Sequence, residues 1–171
     1  MLRNHLVFLR ALEADDLDFL YAIENETSLW PVSDAVTPVS RYTLRQYLDN
    51  AGADLHEVRQ LRLVICALID SRAVGTIDLF DFDPRHQRAG VGIALLPTEC
   101  KQGYAQAALQ LLATYARQTL HLHQLYCTIS TDNEASQRLF KRVGFQLVGV
   151  RKEWLRSATG WQDAYEYQII F

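Results

Sequence analysis

Apolar positions recur along the chain in two periods, and the switches between them mark the elements. Leu6-Val7-Phe8-Leu9-Arg10-Ala11-Leu12 predicts a first strand. Asp15 or Asp16 then caps a helix through Glu24, with Leu17, Leu20, Tyr21 and Glu24 at three- and four-residue spacing. An irregular stretch over 25–38, containing Trp30, Pro31 and Pro38, leads to Ser40. That residue caps a second helix in which Leu44, Tyr47 and Leu48 share a face, and Gly52 follows its end. The continuous apolar run 61–69 suits a strand buried on both faces. Strands over 73–82 and 88–96 follow, separated by turn signals at Asp70-Ser71-Arg72 and Asp83-Pro84-Arg85-His86. Gly90 and Gly92 interrupt the second of these, and glycine inside a strand marks a bulge or the close approach of another backbone or a ligand.

After Pro97 the period lengthens. Ala105, Ala108, Leu109, Leu112, Ala113 and Ala116 form one helical stripe over 103–119. A strand over 124–130, a helix over 133–143 ending at Gly144, and strands over 145–154 and 163–171 complete the chain, the last two joined by a polar turn at 157–160. No repeat, low-complexity tract or linker appears, so the expectation is a single domain spanning 1–171, an α/β (α+β) unit around one mixed sheet.

Charge and composition exclude several classes. With 171 residues and 49% hydrophobic content, the chain buries roughly 70% of its unfolded surface and needs no staples. A net charge of −3 argues against broad binding to nucleic acid, which needs a basic face. Cys66, Cys100 and Cys127 lack metal-ligand spacing, and with His121 and His123 read as surface or cap residues no metal is expected. The opening residues carry no signal-peptide pattern, and no apolar run approaches the ~20 residues of a membrane span. A cytoplasmic protein without membrane or nucleic-acid partners is expected.

Two segments carry chemistry. In the first, residues 95–105, a strand end feeds a loop entering a helix, whose free N–H groups can hold an anion such as a pyrophosphate. Gly103 and Ala105 permit close approach and Lys101 adds charge, although an ordinary strand–turn–helix connection also needs glycine. In the second, residues 133–145, Asn133 and Ser136 lie in the first helical turn, where they can cap the helix or reach a ligand. Leu139, Phe140 and Val143 make its packed face.

Together these segments resemble the acetyl-CoA site of the GNAT superfamily of N-acetyltransferases. Cys100-Lys101-Gln102-Gly103-Tyr104-Ala105 is similar to the family loop Q/R-x-x-G-x-G/A, and residues 133–145 follow the family pattern N-E-x-S-x-x-x-F/Y-x-x-x-G-F. The resemblance covers nearly the whole chain and is closest to spermidine/diamine and ribosomal-protein acetyltransferases. It implies a mostly antiparallel sheet of about six or seven strands with about four flanking helices, splayed between the fourth and fifth strands (88–96 and 124–130). It also implies acetyl-CoA as co-substrate. Ile93, Ala94 and Leu95 would pair with the pantetheine amides like an added strand. Cys100, Lys101, Gln102, Gly103, Tyr104, Ala105 and Gln106 would hold the pyrophosphate, while Asn133, Ser136 and Phe140 would border the pantetheine and thioester.

The departures from the family concern mechanism. Cys100 replaces the usual glutamine or arginine and is read as a small buried thiol rather than a nucleophile. Phe140 stands where the polyamine enzymes carry a proton-donating tyrosine, and Gly90 where they carry a glutamate. Asp78, inside an apolar strand, is the candidate catalytic proton acceptor, or alternatively a structural partner for Arg88. Alternation sets Asp78 and Phe80 on one face, Leu79 and Asp81 on the other, with Asp81 and Asp83 as turn residues. In the family, acceptors enter between the N-terminal helices and the last two strands. Glu26, Trp30, Glu153 and Tyr165, with Glu24, Trp154 and Trp161, would surround that mouth and suit a cationic amine. The expected activity is acetyl transfer to a small primary amine, a polyamine or diamine such as spermidine. Transfer to a protein N-terminus and a non-catalytic acyl-CoA-binding sensor are the alternatives. A homodimer or higher homo-oligomer is the expected assembly.

Overall fold

The computed structural model describes residues 2–33, 35–157 and 160–171. Its strands are β1 (Leu2–Arg3), β2 (Val7–Arg10), β3 (Leu61–Ala67), β4 (Ala73–Asp83), β5 (Arg88–Leu95), β6 (Gln124–Ser130), β7 (Gln146–Ser157) and β8 (Gly160–Ile170). Its helices are α1 (Leu17–Glu24), α2 (Trp30–Ser33), α3 (Arg41–Asp49), α4 (Leu55–Val58), α5 (Tyr104–Gln118) and α6 (Glu134–Val143). The strands form one sheet in the order β1-β2-β3-β4-β5-β6-β8-β7. Every neighbouring pair is antiparallel except β5 and β6, which run parallel.

The mixed fold is the expected one, with more elements than the periodicity predicts. The added strand β1 has only two residues, and α2 and α4 are single turns of four, too short to establish a period. The β7–β8 hairpin is longer than expected, because cross-strand pairing carries it out to Ser157 and Gly160. Ala158 and Thr159, at the centre of the expected polar turn, lie outside the described residues.

The main core packs α5 and α6 on the sheet through Leu109, Leu112, Leu125, Phe140 and Tyr167. A second cluster, Leu20, Ile23 and Leu44, sits under α1 and α3 and reaches Ala94 and Leu96, so the N-terminal helices cover the C-terminal end of β5. Ser40 caps α3 as predicted, accepting from the Thr43 N–H. Asp16 precedes α1 without capping it. Its buried carboxylate instead receives the Arg10 guanidinium fork at 2.6 and 2.7 Å and the Glu13 N–H at 2.8 Å. No helix among the described residues is long and apolar enough to cross a membrane.

Candidate active site

The sheet opens between β5 and β6. The two strands pair only over Arg88–Gly90 and Gln124–Tyr126, while β5 stays paired to β4 as far as Leu95. Past Gly90 the edge of β5 that faces β6 therefore has no strand partner, and its backbone can bond a ligand. The gap widens into a cavity of about 700 Å³. Val91, Gly92, Ile93 and Ala94 line one wall, and Tyr126 through Ser130 the other, with Asn133, Ser136 and Phe140 of α6 beside them. A Cβ on Gly92 would meet only ordinary contacts, Phe80 Cε1 at 3.8 Å and Asp78 Cβ at 4.0 Å.

The irregularity in this region lies on β4. The β4–β5 register shifts between Phe80 and Asp83, where Asp81 takes a left-handed φ of 48°. The expected alternation fails there, and Asp81 lines the cavity together with Asp78 and Phe80. Asp83 does close the turn, accepting from the His86 N–H at 3.0 Å and pairing with Arg88 at 3.4 Å.

Asn133 caps α6 by accepting from the Ser136 N–H at 3.1 Å. This holds the first turn against the cavity. Phe140 is buried and meets Phe145 edge-on, ring centroids 5.0 Å apart. At the end of β5, Gly103 occupies the N-cap of α5 with φ +85°, and no side chain caps that helix. Lys101 is also left-handed, at φ 65°. Cys100 is exposed rather than buried, because the loop carries it off the core with its Sγ 3.7 Å from the Leu96 carbonyl. Leu95 and the segment 100–106 do not line the cavity.

Asp78 is bound by Arg62, not by Arg88. The Arg62 Nε donates to Asp78 Oδ1 at 2.6 Å and its Nη1 to Glu24 Oε1 at 2.7 Å, and all three residues line the cavity. Arg88 is drawn away by Asp83. Burial pushes the Asp78 carboxyl above the usual range, opposed by the charge and hydrogen bond of Arg62 and reinforced by Glu24. The run 61–69 is therefore not continuous: Arg62 interrupts it, the one sequence signal that could have exposed this partner.

The predicted acceptor residues are less concentrated. Glu26, Trp30, Glu153 and Tyr165 do not line the cavity, whereas Leu29, Pro31, Val32, Arg151, Trp154 and Leu155 do. Glu26 is spent locally on Ser28, which holds its carboxyl below the ordinary range. The Trp30 Nε1 donates to the Glu24 carbonyl at 3.0 Å. Glu153 sits in a left-handed bulge of β7 at φ 49°. Tyr165 meets Tyr167 edge-on at 6.4 Å. In their place Arg151 stacks on Trp154, its Cζ 4.4 Å from the ring, while bonding Glu166 at 2.7 Å. Glu24, Asp78 and Asp81 against Arg62 and Arg151 leave the cavity lining one net negative charge.

Comparison with known proteins agrees with this fold. A family model described as an acetyltransferase (GNAT) domain matches residues 7–146. The chain is 26% identical over 156 residues to the N-acetyltransferase YoaA of Bacillus subtilis, covering 91% of this chain and 81% of that one. It is 26% identical over 152 residues to the spermidine N(1)-acetyltransferase of Escherichia coli K12, covering 85% and 75%. The fold superposes with TM-score 0.88 on a spermidine N-acetyltransferase from Vibrio cholerae in complex with CoA and spermine, at 22% identity and over 98% and 96% of the two chains. A dodecameric structure of that Vibrio enzyme matches with TM-score 0.78, again at 22% identity and over 98% and 95%.

Proposed function

Since the chain belongs to the acetyltransferase (GNAT) family, we propose that it moves an acetyl group from acetyl-CoA to a primary amine, and that its acceptor is a polyamine or diamine such as spermidine. The observation that carries this reading is the parting of β5 from β6 after Gly90. It leaves an extended backbone edge beside Asn133, Ser136 and Phe140, suited to the amides of the pantetheine arm. The uncapped N-terminus of α5 at Gly103 suits the pyrophosphate, with Lys101 adding charge. Acetyl-CoA supplies the activated acyl carbon.

The amine arrives as an ammonium near pKa 10 and must lose a proton before it attacks. Asp78 takes that proton, directly or through a water. The nitrogen then bonds the thioester carbonyl carbon, the C–S bond breaks with its electron pair leaving on sulfur, and the second proton of the attacking nitrogen passes to water as the amide forms. Free N–H groups on the β5 edge stabilise the negative charge that develops on the carbonyl oxygen. Phe140 has no proton to give, but a thiol of pKa near 8–9 leaves unaided as thiolate. The net negative charge of the lining and the Trp154 face favour a cationic acceptor. The name of the Escherichia coli relative at 26% identity supports the polyamine. Homo-oligomerisation in the cytoplasm belongs to the same proposal, supported by Leu147, Val148 and Val150, which stand exposed on the edge strand β7. Sedimentation velocity tests the assembly.

The test of function is thiol release from acetyl-CoA with spermidine, spermine, putrescine, aminoglycosides and N-terminal peptides side by side. Turnover with the polyamines and not the peptides is expected. Peptide turnover alone would move the acceptor to protein N-termini. Tight acetyl-CoA binding without turnover on any amine would overturn the catalytic reading.

A further inference from the structure

We infer that Arg62 is a positioning residue for the proton acceptor: its guanidinium fixes the Asp78 carboxylate against the cleft, and Glu24, on the guanidinium's other side, sets how firmly Asp78 keeps its charge. The inference rests on the preceding reading of Asp78. Three elements converge to build it. Arg62 on β3 binds Asp78 on the adjacent strand β4, 16 residues away, and Glu24 at the end of α1, 38 residues away. Tyr47 of α3 lies under the guanidinium, 5.7 Å from its Cζ. From β5, the residue opposite Asp78 is Gly92, which brings no charge. Among the described residues, Arg62, Glu24 and Tyr47 are the charged and titratable groups that act on Asp78, while Asp81 and Arg151 stand elsewhere on the same cavity lining.

One guanidinium between two carboxylates leaves one uncompensated negative charge beside the cavity. Neither Asp78 Oδ2 nor Glu24 Oε2 accepts a hydrogen bond among the described residues. Asp78 thus keeps a free oxygen for a proton while Arg62 holds the other. Burial and Glu24 push Asp78 towards its neutral form, and Arg62 pulls it back. A proton acceptor must start ionised, so the two neighbours act on it in opposite directions. Removing one should do the reverse of removing the other.

The test measures two things on the full chain. One is the acidic limb of kcat/KM for the amine, which reports groups on the free enzyme. The other is the carbon-13 carboxyl titration of Asp78 without substrate. Arg62→Met should move both to higher pH by about one unit or more, with a rate loss that shrinks as pH rises. Arg62→Lys, which keeps the charge but not the fork, should fall between Arg62→Met and wild type. Glu24→Gln should move both to lower pH. Two limbs that stay in place with a uniform rate loss, or that shift in the same direction, would overturn the inference. If Arg62→Met fails to fold, Arg62→Lys and Glu24→Gln still carry the opposed signs. If no amine turns over even in wild type, the catalytic reading fails, while the titration still decides whether Arg62 and Glu24 oppose one another at Asp78.

Discussion

The Phe80 ring lies across Gly90. The two are cross-strand partners on β4 and β5, and a Cβ built on Gly90 would come within 2.2 Å of Phe80 Cε2. The ring continues towards β6, where it meets Tyr126 edge-on at 6.2 Å. Gly90 is thus the floor beneath an aromatic bridge that spans the strands where they begin to part. This accounts for the missing glutamate: a side chain at 90 and the Phe80 ring claim the same space.

Gly90→Glu therefore does not supply a base. The new side chain has to displace Phe80, and overpacking of this kind costs about 1–3 kcal/mol. A lowered denaturation midpoint and reduced turnover are expected, with part of the stability regained in the double variant Phe80→Ala/Gly90→Glu. A stable and more active Gly90→Glu would show that Phe80 swings aside freely.

Phe140→Tyr tests the absence of an acid. Phe140 borders the cavity on one side and packs edge-on against Phe145 on the other. Because Phe140 lines the cavity, the fold should accept the added hydroxyl and kcat should stay level or rise modestly. If the ring acts as a wall for the pantetheine, the change appears in KM for acetyl-CoA with kcat unchanged. Abolished turnover in a folded variant would disprove the placement of α6 beside the thioester.

Asp16 governs stability in acid. Burial pushes its carboxyl up, but the Arg10 fork and the Glu13 N–H outweigh that and leave it below the usual carboxylate range. A lowered folded value means the stabilisation is complete above the unfolded pKa near 3.9 and is lost as pH falls through the folded value. Asp16→Asn should lose about 1.5–3 kcal/mol at neutral pH, the scale of hydrogen bonds to a charged group. The gap from wild type should close below about pH 4. Urea midpoints across pH 3 to 7 read this directly, and a gap that does not vary with pH would rule out the ionised pair as its source.

What could be read in the sequence was what lies close together along the chain. The strand at 124–130 and the Asn133-capped helix match their predicted bounds, since period, cap and terminal glycine all lie within a few residues. The partners of charged groups were hidden. Asp78 does lie inside an apolar strand, but its partner Arg62 comes from the neighbouring strand and Glu24 from a helix folded over both. Glu26 and Glu153 belong to the acidic mouth by composition, yet one bonds its own turn and the other sits in a bulge. Periodicity assigns a face to a residue but does not say which polar group completes it. The break in alternation at Asp81 was invisible for a related reason: a bulge adds one residue to a strand without altering its composition.

Gly103 offers the most direct test of the cofactor loop, because two effects at that position can be separated. At φ +85° any side chain is strained, and a Cβ would sit 3.3 Å from Leu6 Cδ2. Gly103→Ala carries that cost alone, about 1 kcal/mol of stability, with little change in acetyl-CoA affinity. Gly103→Glu adds a negative charge at the N-terminus of α5, where the pyrophosphate is proposed to lie. Its Kd for acetyl-CoA should rise at least about tenfold over Gly103→Ala, roughly 1.4 kcal/mol. Because the added effect is repulsion between charges at an exposed loop, the difference should narrow as salt is raised from 0.01 to 1 M, over which the Debye length falls from about 30 to 3 Å. Calorimetry at both ionic strengths provides the measurement. Equal affinities for the Ala and Glu variants at low salt would remove residues 100–106 from the cofactor site.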